Sequence, residues 1–217
     1  MNLANKLTVF RMILVPIFVV IGYLGSLGVI TGECLGIPVA YWLMNLVFII
    51  ASITDKLDGY IARSRNQVTT FGKFLDPLAD KILVLSALVM LVEYGKIPGW
   101  IPVIVLAREF LVSGYRLVAV EKGGKVIAAS IWGKLKTVTQ MIAIILTFAD
   151  KFNFCDFVRA TTNQAQAISS SMQIYMTTPE IAFNAVASIL MLVSVIATIF
   201  SGYNYLKGGK DLFKDKE

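Results

Sequence analysis

The chain has 217 residues, of which 57% are hydrophobic and 16% charged, whereas soluble domains are typically about 45–50% apolar. This composition, with a mean hydropathy of +0.73, argues against a soluble domain and indicates a protein of the lipid bilayer. The chain contains no histidine, which excludes imidazole metal ligands and the catalytic arrangements that depend on a histidine base.

Six apolar segments, each long enough to be considered a membrane span, follow one another along the chain. They cover residues 12–30, 37–54, 74–92, 97–120, 126–149 and 181–205. Since a span needs about 20 residues, we predict an all-α integral membrane protein with six transmembrane helices and a single domain over residues 1–217. Residues 1–11 are expected to form a juxtamembrane interfacial segment, and residues 150–180 an outer loop with some interfacial helix. The first segment could also be a cleaved signal peptide, but no clear cleavage pattern follows it, which favours a retained helix.

The distribution of basic residues predicts the orientation. If the amino terminus is cytoplasmic, all of the 20 Lys and Arg residues except Lys96, Lys151 and Arg159 fall on the inner side. Basic residues concentrate on the cytoplasmic side of membrane proteins, so we expect both termini to be cytoplasmic. Cys34 and Cys155 both fall on outer connections, where they could form a disulfide or remain unpaired.

Residues 55–80 contain an acidic motif in which four carboxylates stand at fixed spacing. It reads Asp55-x-x-Asp58-Gly59-x-x-Ala62-Arg63, then eight residues, then Gly72-x-x-x-Asp76-x-x-x-Asp80. Spacings of three and four place residues on one face of a helix, so the motif predicts one pair of carboxylates on each of two neighbouring helices, with the site between helices on the cytoplasmic side. Carboxylates at membrane depth are costly and repel one another unless a cation holds them. An all-oxygen donor set is typical of Mg²⁺ or Mn²⁺.

The other motif residues favour phosphate chemistry. Gly59 and Ala62 let a ligand approach the helix closely, and the planar guanidinium of Arg63 is suited to a phosphate group. Gly72 provides flexibility or close packing before the second pair. A helix end with solvated charges, an ion pathway or a structural scaffold would explain isolated carboxylates, but not the complete spacing.

The motif resembles the signature of the CDP-alcohol phosphotransferases, matched without a substitution or gap. The resemblance implies six transmembrane helices, a homodimer and a cytoplasm-facing site with two divalent metal ions, where an acceptor hydroxyl displaces CMP from a CDP-linked donor. It also implies that Asp80 is the base that deprotonates the acceptor. The implied metal ligands are Asp55, Asp58, Asp76 and Asp80, and the implied CDP-binding residues are Thr8, Asp58, Gly59, Ala62, Arg63 and Gly72.

The acceptor has to be inferred from residues outside the acidic motif. The start of the chain, Asn5-Lys-Leu-Thr8-Val-Phe-Arg11, resembles the amino-terminal motif of phosphatidylglycerophosphate synthases, although Ala4 replaces the proline that often precedes it. A capping polar pair with an interfacial arginine would also explain this segment.

Five further cations lie in segments that resemble the same subfamily, and they exceed what four aspartates need once metal is bound. A second anionic group is therefore expected, consistent with an acceptor that carries its own phosphate. Two alternatives stay open: the lysines on the fifth segment could extend to lipid headgroups, and Arg108 could pair with Glu109. The five residues are Lys81, Arg108, Arg116, Lys134 and Lys136.

These patterns predict an enzyme of phospholipid biosynthesis that transfers the phosphatidyl group of CDP-diacylglycerol to sn-glycerol 3-phosphate. Inositol phosphate or phosphatidylglycerol as acceptor, or an ion-coupled transporter, are the alternatives. The expected partners are the two substrates, membrane lipids and a second copy of the chain, but no nucleic acid. The expected location is a bacterial cell membrane, with the site facing the cytoplasm.

Overall fold

The computed structural model describes residues 3–64, 70–121, 131–165 and 176–208, with side chains for residues 6–55, 79, 81–115, 118, 131–158, 160–161 and 176–207. Within these ranges the chain is almost entirely helical. The helices are α1 (Leu3–Ser26), α2 (Val39–Ser64), α3 (Thr70–Glu93), α4 (Trp100–Glu121), α5 (Ile131–Phe148), α6 (Asp156–Ala165) and α7 (Thr178–Gly208), and the strands are β1 (Glu33–Cys34) and β2 (Ile37–Pro38).

The six long helices overlap the six apolar segments, and the short α6 lies in the predicted outer loop. By length and composition, three stretches of the described residues can cross a bilayer, namely Lys6–Ser26, Ile131–Phe148 and Thr178–Lys207, while Val39–Asp55 is apolar but shorter. The prediction of a helical membrane protein is therefore confirmed for the described residues apart from the short hairpin of β1 and β2, and membrane crossing by α2, α3 and α4 stays a prediction.

The hydrophobic core lies where α1, α2, α3, α4, α5 and α7 meet. Phe18 of α1 and Phe148 of α5 are fully buried and pack edge to face, with ring centroids 5.9 Å apart. Other large apolar side chains, among them Ile13, Val103 and Ile196, are about half exposed on the outside of the bundle. Because lipid is as apolar as these side chains, such a bundle is held together by close packing more than by exclusion of water.

Close packing is most evident where α1 meets α2 and the turn after α3. A Cβ atom at Gly25 would lie 2.4 Å from Cβ of Ala40, and one at Gly22 would lie 2.4 Å from the end of Met90. Tyr94 donates a hydrogen bond from its hydroxyl to the carbonyl of Gly22 at 2.6 Å. Glycine is therefore required at position 25 for the helices to approach this closely, whereas at Gly22 the flexible end of Met90 could move to make room.

A two-residue hairpin connects α1 to α2. Strands β1 and β2 pair antiparallel, with Cys34 opposite Ile37, and the two turn residues, Leu35 and Gly36, both have positive φ angles of 58° and 73°. Positive φ at both central residues is typical of the tight turns that match strand twist. Cys34 and Cys155 are both free thiols.

A buried lysine ties together the end of the bundle at which α3 and α5 terminate. Lys96 is 5% exposed and donates to the carbonyls of Asp150, Lys151 and Phe152 at 2.8, 3.0 and 3.2 Å. The Asp150 carboxylate in turn accepts from Asn184 of α7 at 2.8 Å. Burial lowers the pKa of Lys96 and raises the pKa of Asp150. This network fixes the α3–α4 connection, the α5–α6 connection and α7 relative to one another.

Candidate active site

The acidic motif lies within two helices that contact each other. Asp55, Asp58 and Ala62 belong to α2, and Asp76 and Asp80 belong to α3. Helix α2 continues beyond its apolar segment, and α3 contains the second pair, so the spacings of three and four do fall on helical backbone, as the sequence predicts. The side chains of three of the four carboxylates lie outside the described part of the chain, as do those at the predicted CDP-binding positions 59, 62, 63 and 72.

Asp55 is the motif carboxylate whose side chain is described. Its Oδ1 lies 2.7 Å from Nη1 of Arg11, whose side chain is fully buried, while the Asp55 side chain is 30% exposed. Thr8, one turn before Arg11 on α1, is 1% exposed. The interpretation of Arg11 as an interfacial arginine is therefore wrong: it lies inside the bundle, because its charge is balanced by a carboxylate from the neighbouring helix.

The described side chains contain no group of three or more His, Cys, Asp or Glu residues that could hold a metal. This result covers only one member of the predicted metal cluster. The predicted ligand set of Asp55, Asp58, Asp76 and Asp80 thus stays a prediction.

A cavity of about 430 Å³ opens between α3, α4 and α5. Most of its wall is apolar, but polar side chains from all three helices line one part of it. Three of them belong to the five cations predicted to bind the acceptor. The polar residues that line the cavity include Lys81, Arg108, Glu109, Ser113, Lys136 and Gln140.

Glu109 joins the cations of this cavity. Its Oε1 lies 2.9 Å from Nη1 of Arg108 and 2.7 Å from Nζ of Lys136. Nζ of Lys81 donates to the hydroxyl of Ser113, which donates to the backbone carbonyl of Glu109 at 2.7 Å. The Glu109 carboxylate therefore forms ion pairs with both Arg108 and Lys136. The hydroxyl of Ser113 links Lys81 to the backbone of the same residue. The sequence suggested Glu109 only as a partner for Arg108, which is confirmed; its contact with Lys136 had no sequence signal.

Arg108 is also anchored to α7. Its Nη2 donates to the hydroxyl of Ser201 at 2.6 Å, and its guanidinium lies over the ring of Tyr205, 5.8 Å from the centroid. Its Nε is buried and has no hydrogen-bond partner among the described atoms. Arg108 thus combines a fixed position with one uncommitted donor, which suits it to an anionic ligand.

The five predicted acceptor cations occupy different surroundings. Lys81, Arg108 and Lys136 line the cavity, and Lys136 is buried on Glu109 rather than extended to lipid headgroups. Lys134 is exposed and is absent from the described cavity wall. The side chain of Arg116 lies outside the described part of α4. Assignment of Lys134 and Arg116 to this site stays a prediction.

Gln140 is a cavity residue that the sequence analysis missed. It is 2% exposed, and its Nε2 has no hydrogen-bond partner in the described structure. The available signal was its spacing: it stands four residues after Lys136 on α5, and such residues share a helix face.

Comparison with known proteins gives a consistent result. A family model described as CDP-alcohol phosphatidyltransferase matches residues 1–200. The CDP-diacylglycerol–glycerol-3-phosphate 3-phosphatidyltransferase of Bacillus subtilis is 49% identical over 147 residues, covering 66% of this chain and 74% of the relative. The protein of the same name from Rickettsia bellii is 36% identical over 214 residues, covering 98% and 97%, and that from Haemophilus influenzae is 42% identical over 147 residues, covering 66% and 73%.

Proposed function

This chain belongs to the CDP-alcohol phosphatidyltransferase family, and we propose that it transfers the phosphatidyl group of CDP-diacylglycerol to the primary hydroxyl of sn-glycerol 3-phosphate. The products are phosphatidylglycerophosphate and CMP. Relatives aligned over nearly the whole chain carry the name of this activity. The structural observation that carries the choice of acceptor is the convergence of Lys81, Arg108 and Lys136 on one cavity.

The charge of the cavity fits an acceptor that carries a phosphate monoester. Among the described side chains of its wall, three cations face one carboxylate, Glu109, which leaves a net charge of about +2 if all are ionised. A phosphate monoester carries about −1.5 to −2 at neutral pH. Serine and choline have no phosphate, and phosphatidylglycerol has only a phosphodiester with a single charge. The cavity therefore favours glycerol 3-phosphate over these acceptors.

The donor would bind at the acidic motif, where Asp55, Asp58, Asp76 and Asp80 would hold two Mg²⁺ or Mn²⁺ ions. The donor set fits such ions because all ligand atoms are carboxylate oxygens, and Asp55 remains partly exposed beside its Arg11 partner. When bound, the ions would offset the negative charge of the pyrophosphate. Arg63 and Thr8 would contact the nucleotide part of the donor, and the small residues at 59, 62 and 72 would leave room for it.

In the reaction, the carboxylate of Asp80 would take the proton of the acceptor hydroxyl. The hydroxyl oxygen forms a bond to the phosphorus of the phosphatidyl group, and the bond from that phosphorus to the bridging oxygen of CMP breaks. CMP leaves with the electron pair. Lys81, Arg108 and Lys136 would hold the acceptor so that its hydroxyl approaches the donor, which lowers the entropic part of the barrier.

We further propose that all six long helices cross a bacterial cell membrane with both termini in the cytoplasm. The excess of basic residues on the inner side supports this orientation. The acidic motif and the cavity would then face the cytoplasm, from which the acceptor arrives. A homodimer is proposed as the functional unit.

The direct test is an assay of the purified protein in nanodiscs with CDP-diacylglycerol and Mg²⁺. CMP release should require glycerol 3-phosphate, and the lipid product should carry its phosphate. Release of equal or greater size with inositol phosphate or phosphatidylglycerol would reassign the acceptor, and release of no CMP with any acceptor would contradict the reaction type.

A second experiment tests the base. Asp80→Asn keeps the shape of the side chain but cannot accept the proton, so we expect turnover to fall by about 10²-fold or more while binding of the CDP-lipid changes little. Glu93→Gln, at the exposed end of the same helix, is the matched control and should retain activity. Full turnover by the Asp80 variant would refute the assignment.

A further inference from the structure

We infer that Gln140 recognises the non-reacting hydroxyl of the acceptor and so determines acceptor specificity; this inference rests on the proposed function. The observation behind it is a buried amide donor in the wall of the cation-lined cavity. Gln140 is 2% exposed, lines the cavity, and its Nε2 makes no hydrogen bond to any described atom.

An uncommitted buried donor calls for an explanation, because it has lost its water partners and gained none in return. Folded proteins leave few buried polar groups without a partner, and those that remain are often explained by a functional role or by a bound water or ion. The other polar groups of α5 in this wall each have a partner within the protein. Lys136 pairs with Glu109, and the hydroxyl of Thr137 donates to the carbonyl of Gly133 at 3.1 Å.

The position of Gln140 matches the shape of a three-carbon phosphate. It lies one turn beyond Lys136 on the same face of α5, and four residues of helix rise about 6 Å. With the phosphate group of the acceptor held by Lys136, Lys81 and Arg108, a hydroxyl group two bonds farther along its carbon chain would lie on the side of Gln140. The reacting hydroxyl has to reach the donor, so the secondary hydroxyl is the one left for the amide.

This contact would make the enzyme prefer glycerol 3-phosphate over an analogue that lacks the secondary hydroxyl, a preference that the positive charge of the cavity alone would not produce. Cations select the phosphate group, which glycerol 3-phosphate shares with many metabolites. A positioned donor instead favours the substrate with an oxygen at that point over an analogue without one. The suitable analogue is 3-hydroxypropyl phosphate, which keeps the phosphate and the primary hydroxyl but lacks the secondary hydroxyl.

The experiment measures kcat/KM for both acceptors by CMP release, in the wild type and in Gln140→Met, which has a similar length but no donor. We expect the wild type to prefer glycerol 3-phosphate by about tenfold, and the variant to treat the two acceptors within about twofold of each other. A role of Gln140 in folding alone would lower both values equally and leave their ratio unchanged. Gln140→Leu serves as a second variant without a donor.

Thr139→Val is the matched control, since Thr139 is also buried on α5 but donates only within its own helix, at 2.8 Å to the carbonyl of Leu135. It should retain the wild-type ratio. An unchanged ratio in a folded Gln140 variant would overturn the inference, as would a wild type with no preference, a result that needs no variant. No CMP release by the wild type with glycerol 3-phosphate would instead overturn the proposed function itself, and this inference with it.

Discussion

Lys134 and Lys136 stand two positions apart on α5, yet only one of them lines the cavity. Lys136 is 7% exposed and bonded to Glu109, whereas Lys134 is exposed. Two residues correspond to more than half a turn of helix, so the two side chains leave α5 in different directions. In the sequence both lysines had the same interpretation, because a pattern of charges does not show which face of the helix meets a neighbour.

Lys136→Gln should therefore impair use of the acceptor. The variant removes one of three cations and a charge-assisted contact, typically worth about 1.5–3 kcal/mol, so we expect kcat/KM for glycerol 3-phosphate to fall by about tenfold or more. The KM for CDP-diacylglycerol should change little. Steady-state kinetics with each substrate varied in turn distinguishes these effects.

Lys207→Gln, an exposed position near the end of α7, is the control for loss of one positive charge and should match the wild type. Equal effects of the Lys207 and Lys136 variants would mean that the cavity is not the acceptor site. The same assay on Lys134→Gln tests whether the sequence prediction for that residue holds.

At the scale of single elements, α2 and α3 are longer than their apolar segments. Helix α2 continues from residue 54, where its predicted span ends, through the first part of the acidic motif to Ser64, and α3 begins at Thr70, before the predicted span that starts at residue 74. Hydropathy reports where lipid can surround a segment, while helix length follows from backbone hydrogen bonding, which continues through polar residues. Helix α2 also packs on α1 through a contact that requires glycine, at Gly25.

Gly25→Ala should destabilise the packing of α1 on α2. The new methyl group would lie 2.4 Å from Cβ of Ala40. Because neither alanine side chain can rotate away from the other, the helices must move apart. Overpacking of this kind typically costs about 1–3 kcal/mol, and we expect a lower midpoint of thermal unfolding in detergent. Gly114→Ala adds the same methyl group on α4 where nothing lies within 4 Å, and it should leave the midpoint unchanged or slightly raised. Equal midpoints for both variants would contradict the close contact.

We expect the stabilising effect of Tyr94, at the contact of α1 with the end of α3, to be lost at high pH. Burial, together with the neighbouring Tyr41 and Glu93, raises the pKa of Tyr94 to about 12 from its ordinary value of 10. The folded state therefore retains a proton that the unfolded state loses above pH 10, so the contribution of Tyr94 is complete below pH 10 and is lost as the pH rises through about 12.

Unfolding of the wild type and of Tyr94→Phe, followed between pH 9 and 12, measures this contribution. The variant lacks the bond to the carbonyl of Gly22 and should be less stable at pH 9, but the difference between the two proteins should shrink toward pH 12. A constant difference across this range would show that ionisation of Tyr94 is not linked to folding.

At the scale of the whole molecule, the network around Lys96 and the cation-lined cavity lie at different levels along the same helices. Lys96 and Asp150 follow the ends of α3 and α5, while Lys81 and Lys136 lie in the first halves of these helices. This order along the helices is consistent with the predicted orientation, in which the cavity is nearer the cytoplasmic side and the hairpin between α1 and α2 lies on the outer side.

Labelling of single cysteines tests that orientation. With Cys155→Ala, the exposed Cys34 should react with a membrane-impermeant maleimide in intact spheroplasts. In a background without native cysteines, Lys207→Cys should react only after the membrane is permeabilised. The reverse pattern would place the termini outside and would contradict a cytoplasmic acceptor site.

The sequence by itself determined the helical class and the family, and it predicted the chemistry of the acidic motif. These depend on local properties: hydropathy over one segment, and fixed spacing along one helix. The same locality explains why five cations could be proposed for the acceptor but not sorted into those that meet and those that do not.

Only the tertiary structure decided that Arg11 is buried against Asp55, that Glu109 joins Arg108 and Lys136, and that Gln140 lies in their cavity. The contacts of Lys81 with Ser113, Lys136 with Glu109 and Arg108 with Ser201 join residues 32, 27 and 93 positions apart. Such contacts depend on how helices rotate about their axes and pack, and that rotation is set by small residues and side-chain shape across the whole bundle rather than by any single segment.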